Sequence, residues 1–240
     1  MKLEMHVHTD YSRDCLLSVE ALRKECQKKG VVPCITDHDT IRGALEYRRR
    51  YGKRSCIVGE EIMTSNGEVI AYFLTREVPA GLDFWETVKR IRKQGAIVAL
   101  PHPFDRMRKH SRLKENKDSL RSLFSKGAFD MIETFNSRTV LSRFNDAAEE
   151  FYREIFKASK GRGGMKRVYP FVGSDAHTRP EVGRSYVQVP DFDVTNKEKF
   201  MQSFKRKKPI LVKRKSTILV HVVTKTVKIF RLNRLLKGSR

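Results

Sequence analysis

Leu3-Glu4-Met5-His6-Val7-His8-Thr9-Asp10 is the stretch on which the reading of this chain turns. It reads as a first strand. Side chains alternate faces along an extended strand, so His6 and His8 point one way and Val7 the other. Two imidazoles on one face at a strand end make half of a metal site. Taken alone, the pair is better read as hydrogen-bonded core histidines. The rest of the sequence answers that reading. Thr36-Asp37-His38-Asp39 follows the apolar run Val31-Val32-Pro33-Cys34-Ile35, and Glu60-Glu61 follows Cys56-Ile57-Val58-Gly59. Pro101-His102-Pro103 follows Ala96-Ile97-Val98-Ala99-Leu100, and Gly173-Ser174-Asp175-Ala176-His177 follows Val168-Tyr169-Pro170-Phe171-Val172. Each cluster lies just past the C-terminal end of a predicted strand. Of the seven histidines, only His110 and His221 fall outside these clusters.

Between the clusters the pattern is helical. Ser18 reads as the N-cap of a helix from Val19 to Lys29 that stops at Gly30. Asp39 or Thr40 is expected to cap a helix reaching Tyr51. Asp83 starts a helix from Phe84 to Gln94. Further helices are expected over Ser119 to Lys126, Val140 to Ala158 and Asn196 to Phe204. Ser65-Asn66-Gly67 is a hairpin turn, with Val69 to Leu74 as its return strand. Phe129 to Phe135 and Ser185 to Val189 read as strands. Alternating strands and helices imply parallel strands with helical crossovers. Ligand-type residues at the ends of many strands favour a closed barrel over an open sheet with one switch point.

With 240 residues, the chain can build one substantial core. Its formal net charge of +22 points to a polyanionic partner such as a nucleotide, a nucleic acid or an anionic surface. Abundant charge alone would also suit a heat-adapted surface, but that does not account for the imbalance of sign. Cys15, Cys26, Cys34 and Cys56 have no metal-type spacing and read as reduced thiols of a cytoplasmic protein. The first strand begins at once, leaving no room for a signal peptide, and no apolar run is long enough to span a membrane. Residues 1–204 read as the barrel and 205–240 as a basic C-terminal extension. That extension is either an anchor for nucleic acid or an anionic surface, or an element packed on the barrel with a solvated basic face.

Imidazoles with carboxylates and without thiolates suit first-row metals such as Zn, Mn or Fe. So many candidate ligands exceed one ion's needs, and a carboxylate such as Glu61 or Asp175 can bridge two ions. Closely spaced cations activate water for attack at phosphorus, so no nucleophilic side chain is required. No Gly-rich phosphate loop of the G-x-x-x-x-G-K type is present.

The motifs H-V-H-T-D-Y-S, T-D-H-D-T, G-E-E-I, P-H-P-F and G-S-D-A-H, in that order over roughly residues 1–190, resemble those of the PHP (polymerase and histidinol phosphatase) family. The resemblance implies an α/β fold, a distorted, seven-stranded TIM-like barrel, and metal-dependent phosphoester hydrolysis with two or three divalent ions (Zn, Mn or Fe). It implies that His6, His8, Glu61 and Asp175 bind a first metal and that Glu61 bridges to a second held by His102. It places Asp14, His38 and His177 on a third. Some members carry a further histidine on the strand after the glutamate, but Ile70 to Leu74 has none. Asp37 and Asn136 are expected to orient ligands from outside. Asp14 and His177 are candidates to protonate the leaving group. An arginine fork suits a phosphate, and among Arg106, Arg138 and Arg184 the preferred candidate is Arg184, which Gly183 places close after the Gly173 motif.

The resemblance is nearest to stand-alone members acting on nucleotides and nucleic-acid ends. Two alternatives stand beside that reading. One is a histidinol-phosphate-type phosphatase with a small substrate. The other is a non-catalytic RNA-binding barrel, which would be expected to have lost ligands.

Overall fold

The structure is a computed structural model that describes residues 1–108, 113–160 and 166–217, together with positions 220 and 224. In chain order the elements are β1 (Lys2–Val7), α1 (Val19–Lys29), β2 (Val32–Ile35), α2 (Arg42–Tyr51), β3 (Ile57–Thr64), β4 (Gly67–Tyr72), α3 (Phe84–Lys93) and β5 (Ile97–Leu100). There follow α4 (Lys117–Ser125), β6 (Met131–Asn136), α5 (Ser142–Lys160), β7 (Tyr169–Gly173), β8 (Tyr186–Gln188), α6 (Lys197–Arg206) and β9 (Ile210–Val212).

The strands form one sheet in the order β7-β6-β5-β4-β3-β2-β1-β8-β9. β1, β2 and β3 are parallel, as are β5, β6 and β7. The predicted hairpin is present and makes β4 antiparallel to both neighbours, so the parallel run is interrupted where β3 turns directly into β4 without a helix. The chain beyond β7 comes back against β1. Asp175 N donates to His6 O (2.7 Å), His8 N donates to Ala176 O (3.0 Å), and Val7 and Ala176 form a parallel bridge. These bonds bring seven strands into a nearly closed barrel, with β8 and β9 added antiparallel beyond β1.

Local chemistry explains most element starts. Ser18 accepts from Ala21 N, Asp83 from Trp85 N and Glu86 N, Asn116 from Ser119 N, and Asn196 from Lys199 N. α2 differs from expectation. Its N-cap is Ile41, which has no side-chain capping bond. Asp39 is committed elsewhere, with φ 55° and its carboxylate accepting from Met63 N on β3 (2.8 Å). Thr40 bonds Glu77.

One apolar cluster packs the helices onto the sheet through Leu22, Tyr47, Ile91, Phe124 and Phe151. A second joins Leu3, Met5, Tyr72 and Phe171 to Phe200 and Phe204 of α6. All four cysteines are buried and free. Lys205 and Arg206 complete α6 and β9 pairs with β8, so the first part of the basic extension belongs to the sheet. Apart from positions 220 and 224, the expectations for residues beyond 217 lie outside the described residues. Among the described residues no helix is long and apolar enough to cross a membrane.

Candidate metal centre

β1 delivers His6 and His8 to the strand ends, both buried, with ring centroids 5.2 Å apart. Glu61 comes from β3, and His38 from the turn after β2. His102 and Asp175 follow β5 and β7 in left-handed backbone, at φ 28° and 53°. Non-glycine residues held there are strained, and such strain gathers at functional sites.

Glu61 is the hub. Its Oε2 lies 3.3 Å from His6 Nε2, 3.3 Å from His8 Nε2 and 3.2 Å from His38 Nδ1. Its Oε1 lies 3.0 Å from His102 Nε2. Asp175 Oδ1 is 3.3 Å from His8 Nε2 and 3.7 Å from His6 Nε2. To one side, Asp14 Oδ1 sits 3.3 Å from His177 Nε2 and 3.8 Å from His38 Nε2. All eight expected metal-site residues, His6, His8, Asp14, His38, Glu61, His102, Asp175 and His177, therefore meet at one end of the barrel. His110 and His221 lie outside the described residues.

The backing bonds set the tautomers. Glu133 Oε1 is 3.1 Å from His6 Nδ1, Ser12 Oγ 3.1 Å from His8 Nδ1, and the carbonyl of Asp175 2.8 Å from His177 Nδ1. Ser12 in turn donates to Asp37, so it accepts from His8. With each Nδ1 proton spent outward, each Nε2 presents a lone pair inward once its own proton is displaced. Asp37 also takes Thr9 N and Oγ1. Asn136 bonds Glu133 and Asp175.

His6 Nε2, His8 Nε2, Glu61 Oε2 and Asp175 Oδ1 are buried and have no well-formed hydrogen bond among the described residues. Polar atoms left so cost about 1–3 kcal/mol each. A cation among them removes that cost, so the donor set fits divalent ions. Burial by itself would keep His6 and His8 neutral. The carboxylates outweigh it: Glu61, Asp175 and Glu133 hold His6 well above the usual imidazole range, and Asp175 and Glu61 raise His8 to about 9. Burial also opposes ionisation of Glu61, Asp175 and Asp14. His6 and His38 hold Glu61 well below the carboxylate range, Arg108 and His6 do so for Asp175, and His177 and His38 for Asp14. Burial and then His8 push His177 down to about 4 and lower His38.

Three residues that the sequence reading passed over belong here. Glu133 on β6 holds His6 and accepts from His102 N (2.8 Å). A lone acid in a buried apolar strand was its only signal. Arg108 ion-pairs with Asp175 and lies 3.4 Å from Asp105. Glu68 on β4 lies 3.5 Å from His102 Nε2 and 3.6 Å from His38 Nδ1. Right after Asn66-Gly67, it reads in sequence as an ordinary turn acid. The structure does not bring Arg184 into the cluster. Its guanidinium donates to the carbonyls of Pro180 (3.3 Å) and Lys215 (2.9 Å). Arg106 is exposed, and Arg138 is buried against Glu181 and Thr224.

Residues 4–165 match the PHP domain family. The chain belongs to the PHP family. Residues 166–209 match the PHP-associated family. An uncharacterized protein of Methanocaldococcus jannaschii is 35% identical over 227 residues, covering 91% of this chain and 85% of that protein. A two-domain protein from Bacteroides vulgatus, containing a predicted PHP-like metal-dependent phosphoesterase, superposes with a TM-score of 0.67 at 16% identity, over 89% of this chain and 65% of that one. The lesion-specific endonuclease PfuEndoQ from Pyrococcus furiosus superposes at 0.60 with 15% identity, over 88% of this chain and 57% of that one. This PHP chain thus has the fold of a metal-dependent phosphoesterase family and His/Glu clusters able to hold metal.

Proposed function

We propose that this PHP protein hydrolyses phosphate esters of nucleotides or nucleic-acid ends, with two or three divalent cations (Zn, Mn or Fe) at the cluster. The observation that carries the reading is the convergence of His6, His8, Glu61 and Asp175 with their inward atoms unpartnered. His6, His8, Glu61 and Asp175 would hold a first cation, and Glu61 with His102 would hold a second. Asp14, His38 and His177 would hold a third. The bound cations supply Lewis acidity toward phosphoryl oxygens and lower the pKa of the attacking water.

The chain's own residues do the rest. Glu133 and Ser12 hold His6 and His8 with their lone pairs forward. Arg108 places a permanent cation beside Asp175, where a guanidinium can take a phosphoryl oxygen by two N–H bonds. Asp14 and His38, with side chains 21% and 26% exposed, mark the open side of the cluster. Asp14 and His177 face each other there at 3.3 Å. The charge of +22 favours a polyanionic substrate over a small one, and the endonuclease among the structural neighbours is consistent with that choice.

The test is phosphate release from nucleoside monophosphates, short oligonucleotides and a generic aryl phosphate, with Mn, Zn or Fe loaded. Turnover is expected, and it is lost in His8→Ala and Asp175→Ala while circular dichroism stays unchanged. No turnover with any of these metals refutes the reading.

A further inference from the structure

We infer that Glu68 is itself a cation ligand, and that it biases the inner site toward oxygen-preferring cations such as Mn(II) over Zn(II). The inference rests on reading the cluster as a cation centre, not on which ester is cleaved.

The placement follows from the hairpin. Met63 and Glu68 are directly paired across β3 and β4, and Glu61 pairs with Ile70. Directly opposed residues share a face, and so do residues two apart on one strand, so Glu68 faces the same side as Glu61. The tight turn at Ser65–Asn66 fixes that register. Glu68 is 3% exposed. Its two oxygens reach different imidazoles, Oε1 toward His38 Nδ1 at 3.6 Å and Oε2 toward His102 Nε2 at 3.5 Å. His38, Glu61 and Glu68 each offer a ligand atom within 4.8 Å of the others.

Glu61 and Glu68 bring two carboxylates to the inner side of the cluster, where His102 is the buried nitrogen donor.

Donor type then sets the preference. The site built on His6 and His8 takes two imidazoles and two carboxylates. The inner site takes Glu61, Glu68 and His102, two oxygens to one nitrogen, with His38 on its open side. Carboxylates suit Mn(II) and similar hard ions, while imidazoles favour Zn(II). The two neighbouring sites of one cluster therefore differ in metal preference.

The experiment counts ions rather than turnover. Metal-free protein is dialysed against Mn(II) in large excess over Zn(II), and bound metals are quantified by elemental analysis beside Mn(II) electron paramagnetic resonance. Wild type is expected to retain zinc together with about one equivalent of manganese. Glu68→Gln should lose the manganese and keep the zinc. Glu68→His should keep the stoichiometry but shift the inner ion toward zinc by about tenfold or more. Unchanged counts and ratios in both variants overturn the proposal, as does a wild type that binds zinc alone at every position. If Glu68→Gln fails to fold, an unchanged ratio in Glu68→His overturns it alone. A protein that holds both metals as described yet cleaves no phosphoester would refute the catalytic reading and leave this one standing.

Discussion

At the scale of single residues, the site is a contest between protons and cations. His8, raised to about 9 by Asp175 and Glu61, is protonated in the metal-free protein at neutral pH. Cation binding must displace that proton. Adding Mn(II) or Zn(II) at pH 7.5 in weak buffer should therefore release at least one proton per chain, read with an indicator dye, and affinity should fall as pH is lowered. Glu133 orients His6 without being placed as a ligand. Glu133→Ala should weaken metal affinity by about 10- to 100-fold, measured by chelator competition. Glu4 sits deep on β1 and accepts from Ser174 N (3.0 Å) and Gly183 N (2.7 Å), yet burial raises it to about 7. The folded chain keeps this proton between pH 4.5 and 7, where the unfolded chain has lost it. Glu4 therefore withdraws about 3 kcal/mol of stability as pH climbs through that window. Urea melts with chelator present should show this fall in wild type and its absence in Glu4→Gln. The imidazoles were legible in the sequence because they cluster after apolar runs. Glu133, Glu68 and Arg108 were not, since an acid or arginine in sequence carries no mark of what the fold sets beside it.

At the scale of elements, close approach matters more than propensity. A side chain added at Gly173 on β7 would put its first carbon 2.4 Å from His6 Cβ and 2.5 Å from Glu133 Oε1. Gly173→Ala should thus spread β7 from β1 and lower metal affinity more than it lowers helical content. Chelator competition beside far-ultraviolet dichroism would separate the two. Gly43 on α2 plays the matching part, since a Cβ there would lie 2.1 Å from Asp37 Oδ2. The unexpected start of α2 belongs to the same packing. Asp39 has a helix-capping side chain, but the sheet claims it first. Strands, the helix starts at Ser18 and Asp83, and the hairpin were readable because their signals are local. The antiparallel placement of β4 against β5 was not, because it depends on which neighbour the returning strand meets.

For the whole molecule, the barrel was readable from the repeated placement of site residues after strands. The fate of the basic extension was not, because its first part earns a place in the sheet only by pairing with β8. The charge of +22 predicts a salt test. Cleavage of an oligonucleotide should drop steeply between about 50 and 200 mM salt, while cleavage of a small aryl phosphate stays nearly level. Equal sensitivity would argue for a small natural substrate. Bound cations also tie strands from the whole ring, so saturating metal should raise the melting temperature by about 10 °C over the chelated protein. The bonds from Asp175 and Ala176 back to His6 and His8 have one more consequence. On the ribosome, the two histidines emerge some 170 positions before their partners at the seam. Until those partners emerge, the nascent polypeptide has no complete cage to fill. Its choice of ion therefore waits until the seam has closed, and is made by whatever ions surround the chain then.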